Sequence, residues 1–223
     1  MQFQKEFGDY PDMFIHLFKE IDSALEFEIY DLRENITPKN LNECDAYITT
    51  GSRVSTYDSV DWIPAFKQLI LDLNEAQIKL VGVCFGHQLI ADCLNGKTTQ
   101  SEKGWGVGVS VNDIKKSKSW MQPVLDQLNI VVSHKDQVTH LPENAEILAG
   151  NDFCPNFMLQ IGEHILTIQG HPEFTKAYSQ TLMQYRADMI GRQRVQQGLD
   201  SLLLPVHDRI LMRWIYQFIN ANR

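Results

Sequence analysis

An apolar run at residues 78–84 passes straight into a helical pattern at 86–94, and this junction constrains the fold more than any other part of the sequence. The run contains several β-branched residues, which favours a buried strand, and the segment after it has helical periodicity. A strand followed at once by a helix is the repeating unit of a parallel sheet, because the chain must cross a face of the sheet before the next strand.

The alternation continues on both sides of this junction. Further strands are predicted at 27–32 and 45–50, and further helices at 11–21 and 62–73. The last third of the chain has helical periodicity, and short strands joined by turns precede it, at 104–111, 130–133, 145–149, 157–161 and 164–169. We therefore predict an α/β fold, a three-layer sandwich with a mostly parallel central sheet and an antiparallel excursion on one edge. No linker-like stretch divides it, which predicts a single domain over residues 1–223.

Charge and composition exclude several classes of function. Twenty Lys and Arg residues against 28 Asp and Glu give a net charge of -8 at pH 7, so we expect no nucleic-acid partner. No apolar run approaches the roughly 20 residues that span a bilayer, and the first residues lack the layout of a signal peptide. We expect no membrane association and a cytoplasmic location. The four cysteines show no metal-ligand spacing, and neither a metal nor a cofactor is predicted.

Cys84 lies at the junction itself, in the motif GVCFGHQ at 82–88. Glycines two residues to either side of it match a nucleophile elbow, a sharp strand-to-helix turn that exposes the nucleophile. The N-terminus of the following helix favours a thiolate, and the N–H of Phe85 is expected where an oxyanion would form. The alternative is a buried cysteine without chemistry, which is less favoured because both flanking glycines rarely arise by chance.

A second motif, GHPEF at 170–174, follows a predicted strand. Residues two apart in an extended segment point the same way, so Glu173 can hold the imidazole of His171 in one tautomer. A thiol, a base and an acid that orients the base form a nucleophilic triad if the two strands are neighbours.

Together, these two motifs resemble the class I glutamine amidotransferase family, which implies a flavodoxin-like fold. Softer matches extend the resemblance over most of the chain, to stand-alone members similar to the amidotransferase domain of GMP synthases. TGSR at 50–53 resembles the loop of the oxyanion strand in these members. SHKDQV at 133–138 resembles an S-H-x-D-x-V segment beside the active site, and GWG at 104–106 resembles a G-x-G turn before a strand.

The resemblance implies a role for each matching residue. Cys84 would attack the γ-amide carbon of glutamine, while His171 would act first as base and then as acid, oriented by Glu173. The backbone N–H groups of Gly51 and Phe85 would bind the oxyanion. The substrate-binding residues it implies are Ser52, Gln88, Ser133, His134 and Asp136. For the last two, a structural hydrogen-bonding role is an equally open alternative.

The beginning and end of the chain depart from the family pattern. Family members usually open with a hydrophobic strand that becomes central in the sheet, whereas here Met1 leads almost directly into a segment that resembles the part after that strand. Either the sheet lacks its first strand or this start is not the natural one. No synthetase domain follows Arg223, so an ammonia acceptor is expected from another chain or not at all.

Three hypotheses about function remain open at this stage. The first is glutamine amidotransferase or glutaminase chemistry, in which a γ-glutamyl thioester forms and ammonia is released for an unidentified acceptor. The second keeps the triad but acts on γ-glutamyl peptides or amines. The third is a catalytically silent binding or regulatory module. The expected partners are a small-molecule substrate and, where an acceptor exists, a separate synthetase subunit; a homodimer is also open.

Overall fold

The computed structural model describes residues 4–221, with side chains described from residue 6 onward. Helices α1 to α8 span Gln4–Phe7, Tyr10–Ile21, Ile63–Glu75, Phe85–Cys93, Lys176–Tyr185, Ala187–Ile190, Arg192–Ser201 and Asp208–Asn220. Strands β1 to β9 span Ala46–Thr49, Lys79–Val83, Lys97–Gln100, Gly106–Ile114, Gln127–His134, Asp136–His140, Ala145–Gly150, Met158–Ile161 and Ile165–Ile168. The predicted succession of strands, a middle β region and a helical last third is therefore present.

Seven of these strands form one mixed sheet in the order β1-β2-β9-β8-β7-β4-β5. The pairs β1·β2 and β2·β9 are parallel, and the remaining pairs are antiparallel. The parallel part is thus narrower than predicted, because β7, β8 and β9 follow one another through short turns that allow only antiparallel pairing. Strands β3 and β6 pair separately as a two-stranded antiparallel sheet.

Strand β2 lies between two helical layers. Val81 and Val83 face a core cluster shared with helices α2 and α8, whereas Leu80 faces a second cluster shared with α3 and α4. Successive residues of a strand point to opposite faces, so an unbroken apolar run is what a strand covered on both sides requires. This arrangement agrees with the predicted three-layer α/β class. Among the described helices, none has the length and apolar character needed to cross a membrane.

The predicted strand at 27–32 is wrong. Residues 25–31 have no regular secondary structure, and Leu32–Glu34 form a 3-10 turn. A strand needs a hydrogen-bonded neighbour, yet β1 ends the sheet and no strand within residues 4–221 lies beyond it. Ring contacts satisfy the apolar pattern instead, since Phe27 packs on Phe18 with ring centroids 6.0 Å apart. An initial strand before α2 is likewise absent from the described part of the chain, and residues 1–3 lie outside it.

The elbow glycine Gly86 is expected to be intolerant of a side chain. An added Cβ would lie 1.6 Å from Thr49 Oγ1 and 2.7 Å from Thr49 Cβ, atoms of a stiff β-branched residue. We expect Gly86→Ala to lower the free energy of unfolding by about 2 kcal/mol or more, measured by urea denaturation. Gly198, also in a helix, is the comparison, because its added Cβ would meet the flexible sulfur of Met183 at 2.5 Å and Val107 Cγ2 at 2.9 Å, both longer than the 1.6 Å contact at Gly86, so its loss should be smaller. Equal losses in the two variants would contradict this expectation.

Candidate active site

Cys84 occupies a strained turn between β2 and α4. Its backbone has φ 51° and ψ -97°, a conformation that non-glycine residues rarely adopt outside functional sites. The flanking glycines allow this turn: a Cβ at Gly82 would lie 2.6 Å from Ile90 Cδ1, and Gly86 is blocked by Thr49 as described above. The nucleophile-elbow geometry predicted from the sequence is therefore present.

His171 and Glu173 lie just beyond β9, the strand beside β2. His171 Nδ1 and Glu173 Oε1 are 2.7 Å apart, and the Glu173 side chain is fully buried. The imidazole also stacks on Phe174, with ring centroids 3.9 Å apart and an interplanar angle of 5°. The carboxylate and the stacked ring together fix the orientation of the imidazole, which leaves Nε2 as the nitrogen available for chemistry.

The thiol and the imidazole meet beside Gly51. A Cβ added to Gly51 would lie 2.8 Å from His171 Cε1 and 3.7 Å from Cys84 Cβ, so both side chains border the same small space. Burial alone would lower the pKa of His171. The negative charges of Cys84 and Glu173, together with hydrogen bonds to both, outweigh burial and raise the pKa of His171 to about 10. This electrostatic balance favours the imidazolium form of His171 beside the sulfur.

The two residues expected to supply oxyanion N–H groups, Gly51 and Phe85, both lie next to Cys84. Phe85 is the first residue of α4, so its N–H has no acceptor within the helix. Gly51 follows β1 and approaches Cys84 so closely that a larger residue would clash with His171. Ser52 comes next on this loop and is half-buried.

The other predicted substrate-binding residues form hydrogen bonds with one another and with neighbouring side chains of the protein. Gln88 Nε2 donates to the backbone oxygen of Asp136 at 2.9 Å and to Gln169 Oε1 at 3.0 Å. His134 Nδ1 lies 3.0 Å from the same Asp136 oxygen, and burial lowers the pKa of His134 to about 4. The hydroxyl of Ser133 accepts a hydrogen bond from Arg186. Gln88 and His134 therefore belong to a buried hydrogen-bond network that centres on the backbone oxygen of Asp136.

The carboxylate of Asp136 fastens the loop that carries Gly51. It accepts hydrogen bonds from Ser55 Oγ at 2.6 Å and from Tyr57 OH at 2.9 Å. Both of its oxygens accept hydrogen bonds from this loop, as the structural alternative expects, and contact between Asp136 and substrate stays a prediction.

Gln169 is a site residue that sequence reasoning missed. Its Nε2 donates to Cys84 Sγ at 3.7 Å, and its Oε1 accepts from Gln88. The side chain is fully buried. The period-two argument that paired His171 with Glu173 also places Gln169 on their side of the chain, so the signal was available.

No three His, Cys, Asp or Glu side chains of the described residues are grouped so that they could hold a metal ion. All four cysteines are free thiols. The groups that the structure brings together at this site are the Cys84 thiol and a buried histidine–carboxylate pair.

Comparison with known proteins places this site in a family. The profile of the family "Glutamine amidotransferase class-I" matches residues 9–186. The chain is 30% identical to gamma-glutamyl peptidase 3 of Arabidopsis thaliana over 78% of this chain and 72% of that protein. It is 38% identical to a subunit of the glutamine-hydrolyzing GMP synthase of Methanosphaera stadtmanae, over 52% of this chain and 60% of that protein.

A solved structure shows the same fold. A glutamine amidotransferase from Thermotoga maritima superposes with a TM-score of 0.76, covering 93% of this chain and 90% of that one at 16% identity. The chain thus belongs to the class I glutamine amidotransferase family. The resemblance inferred from its two motifs is confirmed, as are the fold class and the enzyme class, a cysteine-dependent amidohydrolase.

The contact between Gln169 and the sulfur predicts a role in positioning the nucleophile. We expect Gln169→Leu to slow alkylation of Cys84 by iodoacetamide at pH 7 about tenfold, because the variant lacks an N–H donor to the thiolate. Gln160→Leu is the matched control, since Gln160 is also buried but donates to Gly162 O at the far end of β8. Equal alkylation rates in wild type and Gln169→Leu would contradict this role.

Glu173 is expected to control the pH dependence of the site. Removing its charge should lower the pKa of His171 from about 10, since the carboxylate is one of the groups that raise it. The imidazolium is lost above this pKa, so the alkaline limb of kcat/KM should move to lower pH in Glu173→Gln, by about one unit or more. The exposed Glu163→Gln is the control. An alkaline limb that stays in place in Glu173→Gln would show that the carboxylate does not act on the imidazole.

Proposed function

We propose that this protein hydrolyses γ-glutamyl amides through a γ-glutamyl thioester on Cys84. The observation that carries the proposal is the elbow thiol beside a buried imidazole whose pKa a carboxylate helps to raise to about 10. Such a pair holds a nucleophile and a proton donor ready at neutral pH. Family membership adds independent support for amide chemistry at the γ-carbon of a glutamyl group.

The proposed reaction has two steps. Cys84 Sγ attacks the γ-carbonyl carbon, and the N–H groups of Gly51 and Phe85 stabilise the oxyanion. The C–N bond then breaks, and the leaving nitrogen takes a proton from the imidazolium of His171. In the second step the neutral His171 removes a proton from water, the hydroxide attacks the thioester, and the C–S bond breaks to release glutamate and the thiolate.

The proposed ligand is a small γ-glutamyl compound, and two leaving groups are considered. Glutamine, with ammonia as the product, is the substrate that the family's name indicates. A γ-glutamyl peptide is the second candidate, favoured by the relatives named gamma-glutamyl peptidases, which align with 78% of this chain, against 52% for the GMP synthase subunit of Methanosphaera stadtmanae. Around the site we propose contacts to substrate from Ser52 and Ser133, with Gln88, His134 and Asp136 supporting them.

The relatives that are subunits of GMP synthases also support a partner for the first candidate. If glutamine is the substrate, a separate synthetase subunit is the proposed partner, which would bring the unidentified ammonia acceptor, and a homodimer remains a further proposal. We propose the cytoplasm as the location.

Replacing the nucleophile tests the proposal directly. Ammonia release from glutamine and amine release from γ-glutamyl peptides should fall at least about a thousandfold in Cys84→Ala, since the covalent route is lost. Cys93→Ala is the matched control, because Cys93 ends the helix that Cys84 precedes and burial raises the pKa of its thiol to about 12. Full turnover in Cys84→Ala would overturn the assignment.

The silent-module alternative has its own test. A glutamine-mimicking electrophile should form an adduct on Cys84 of the folded wild-type protein, detected by mass spectrometry of its peptides. Folded protein that forms no adduct and turns over no γ-glutamyl compound would favour a binding module.

A further inference from the structure

Arg186 is a half-buried cation that the proposed mechanism does not use. It follows α5, and its Nη1 donates to Ser133 Oγ at 3.2 Å. The guanidinium lies over the indole ring of Trp105, with its carbon 5.9 Å from the ring centroid. The aromatic face and the hydroxyl hold this flexible side chain in one orientation.

The charge of Arg186 has no carboxylate partner among the described residues. None of the ion pairs between these residues includes it, although the protein carries a net charge of -8. A guanidinium has five N–H donors, and only one of them donates to another described side chain here. A partly buried arginine is normally paired, so the remaining N–H donors of this guanidinium are available to an anion from outside the chain.

Arg186 also lies close to the reacting groups. His171 N donates to Val131 O at 2.8 Å, and Ser133 is two residues further along the same strand, a step of about 7 Å. Tyr10 also lies beside His171. Its ring centroid is 6.5 Å from that of His171. Burial raises the pKa of Tyr10, and the positive charge of Arg186 opposes that rise.

We propose that Arg186, held by Ser133 and Trp105, binds a carboxylate of the substrate. The inference rests on the proposed function, in which every candidate substrate carries at least one carboxylate. A single planar guanidinium matches one carboxylate through paired N–H···O bonds. Two carboxylates qualify, the α-carboxylate of the γ-glutamyl group and the carboxylate of a peptide leaving group. The leaving group departs beside His171, whose N–H bonds to the strand that carries Ser133, the partner of Arg186.

Two matched pairs of compounds test the proposal and distinguish the sources. L-glutamine and its α-amide differ only in the α-carboxylate, and γ-glutamylglycine and γ-glutamylglycinamide differ only in the leaving-group carboxylate. We expect wild type to favour the carboxylate member of one pair, and Arg186→Gln to reduce that preference in kcat/KM about tenfold or more. The affected pair identifies the source. Arg186→Lys should retain part of the preference, because it keeps the charge but loses the planar fork.

Arg209→Gln is the control for loss of charge. Arg209 is 75% exposed and pairs with Glu20, ten residues and about 15 Å along α2 from Tyr10. This variant should keep both preferences. If Arg186→Gln lowers kcat/KM equally for all four compounds, or changes none of them, the proposal is overturned.

A binding measurement separates this proposal from the proposed function. γ-Glutamylglycine and γ-glutamylglycinamide, then glutamine and its α-amide, are titrated into Cys84→Ala and into Cys84→Ala/Arg186→Gln by calorimetry. This comparison needs no turnover. If the loss of Arg186 lowers the affinity for a carboxylate compound about tenfold relative to its amide, the subsite is supported even if wild type hydrolyses nothing. Unchanged relative affinities overturn it even if wild type is an active hydrolase.

Discussion

The site depends on the register between β2 and β9, which a backbone hydrogen bond of 2.8 Å from Cys84 N to Ile168 O carries up to the nucleophile. It extends the parallel ladder of β2 and β9 by one step, so both strands end at the same edge of the sheet. The carboxyl ends of parallel strands are where α/β proteins assemble their sites. Because the register is fixed, the turn after β2 delivers a sulfur and the turn after β9 delivers an imidazole to the same place. Residues 87 positions apart in sequence thus become neighbours.

Electrostatics then sets the protonation state at this edge. The site combines a cation with two acidic groups at low exposure, where charges interact more strongly than they do in water. Nearby imidazoles do not compete for the proton. Burial lowers the pKa of His87 to about 3, and that of His134 to about 4, so both stay neutral. The contrast with His171 comes from position alone, since only His171 has a carboxylate against its Nδ1 and a thiol on its other side.

The features that could be predicted from the sequence are those that depend on only a few consecutive residues. The elbow at Cys84 and the pairing of His171 with Glu173 each depend on a few consecutive residues, and both could be inferred from the sequence alone. The strand predicted at 27–32 failed because a strand also needs a neighbour, which local periodicity does not report. Gln88 and Asp136 were inferred as substrate-binding residues from resemblance, yet their partners come from segments far away in sequence. Arg186 was missed for the same reason: only the folded chain brings it to Ser133 and Trp105.

The hydrogen bonds that two hydroxyl groups donate to the Asp136 carboxylate affect how the enzyme binds its ligand. Ser55 and Tyr57 tie the segment containing Gly51 to β6 before any ligand arrives. The conformational entropy of ordering that segment is therefore lost during folding, and the encounter with ligand does not incur it again. A substrate amide therefore meets hydrogen-bond donors that are already in position, and its binding free energy is not reduced by the cost of ordering this segment.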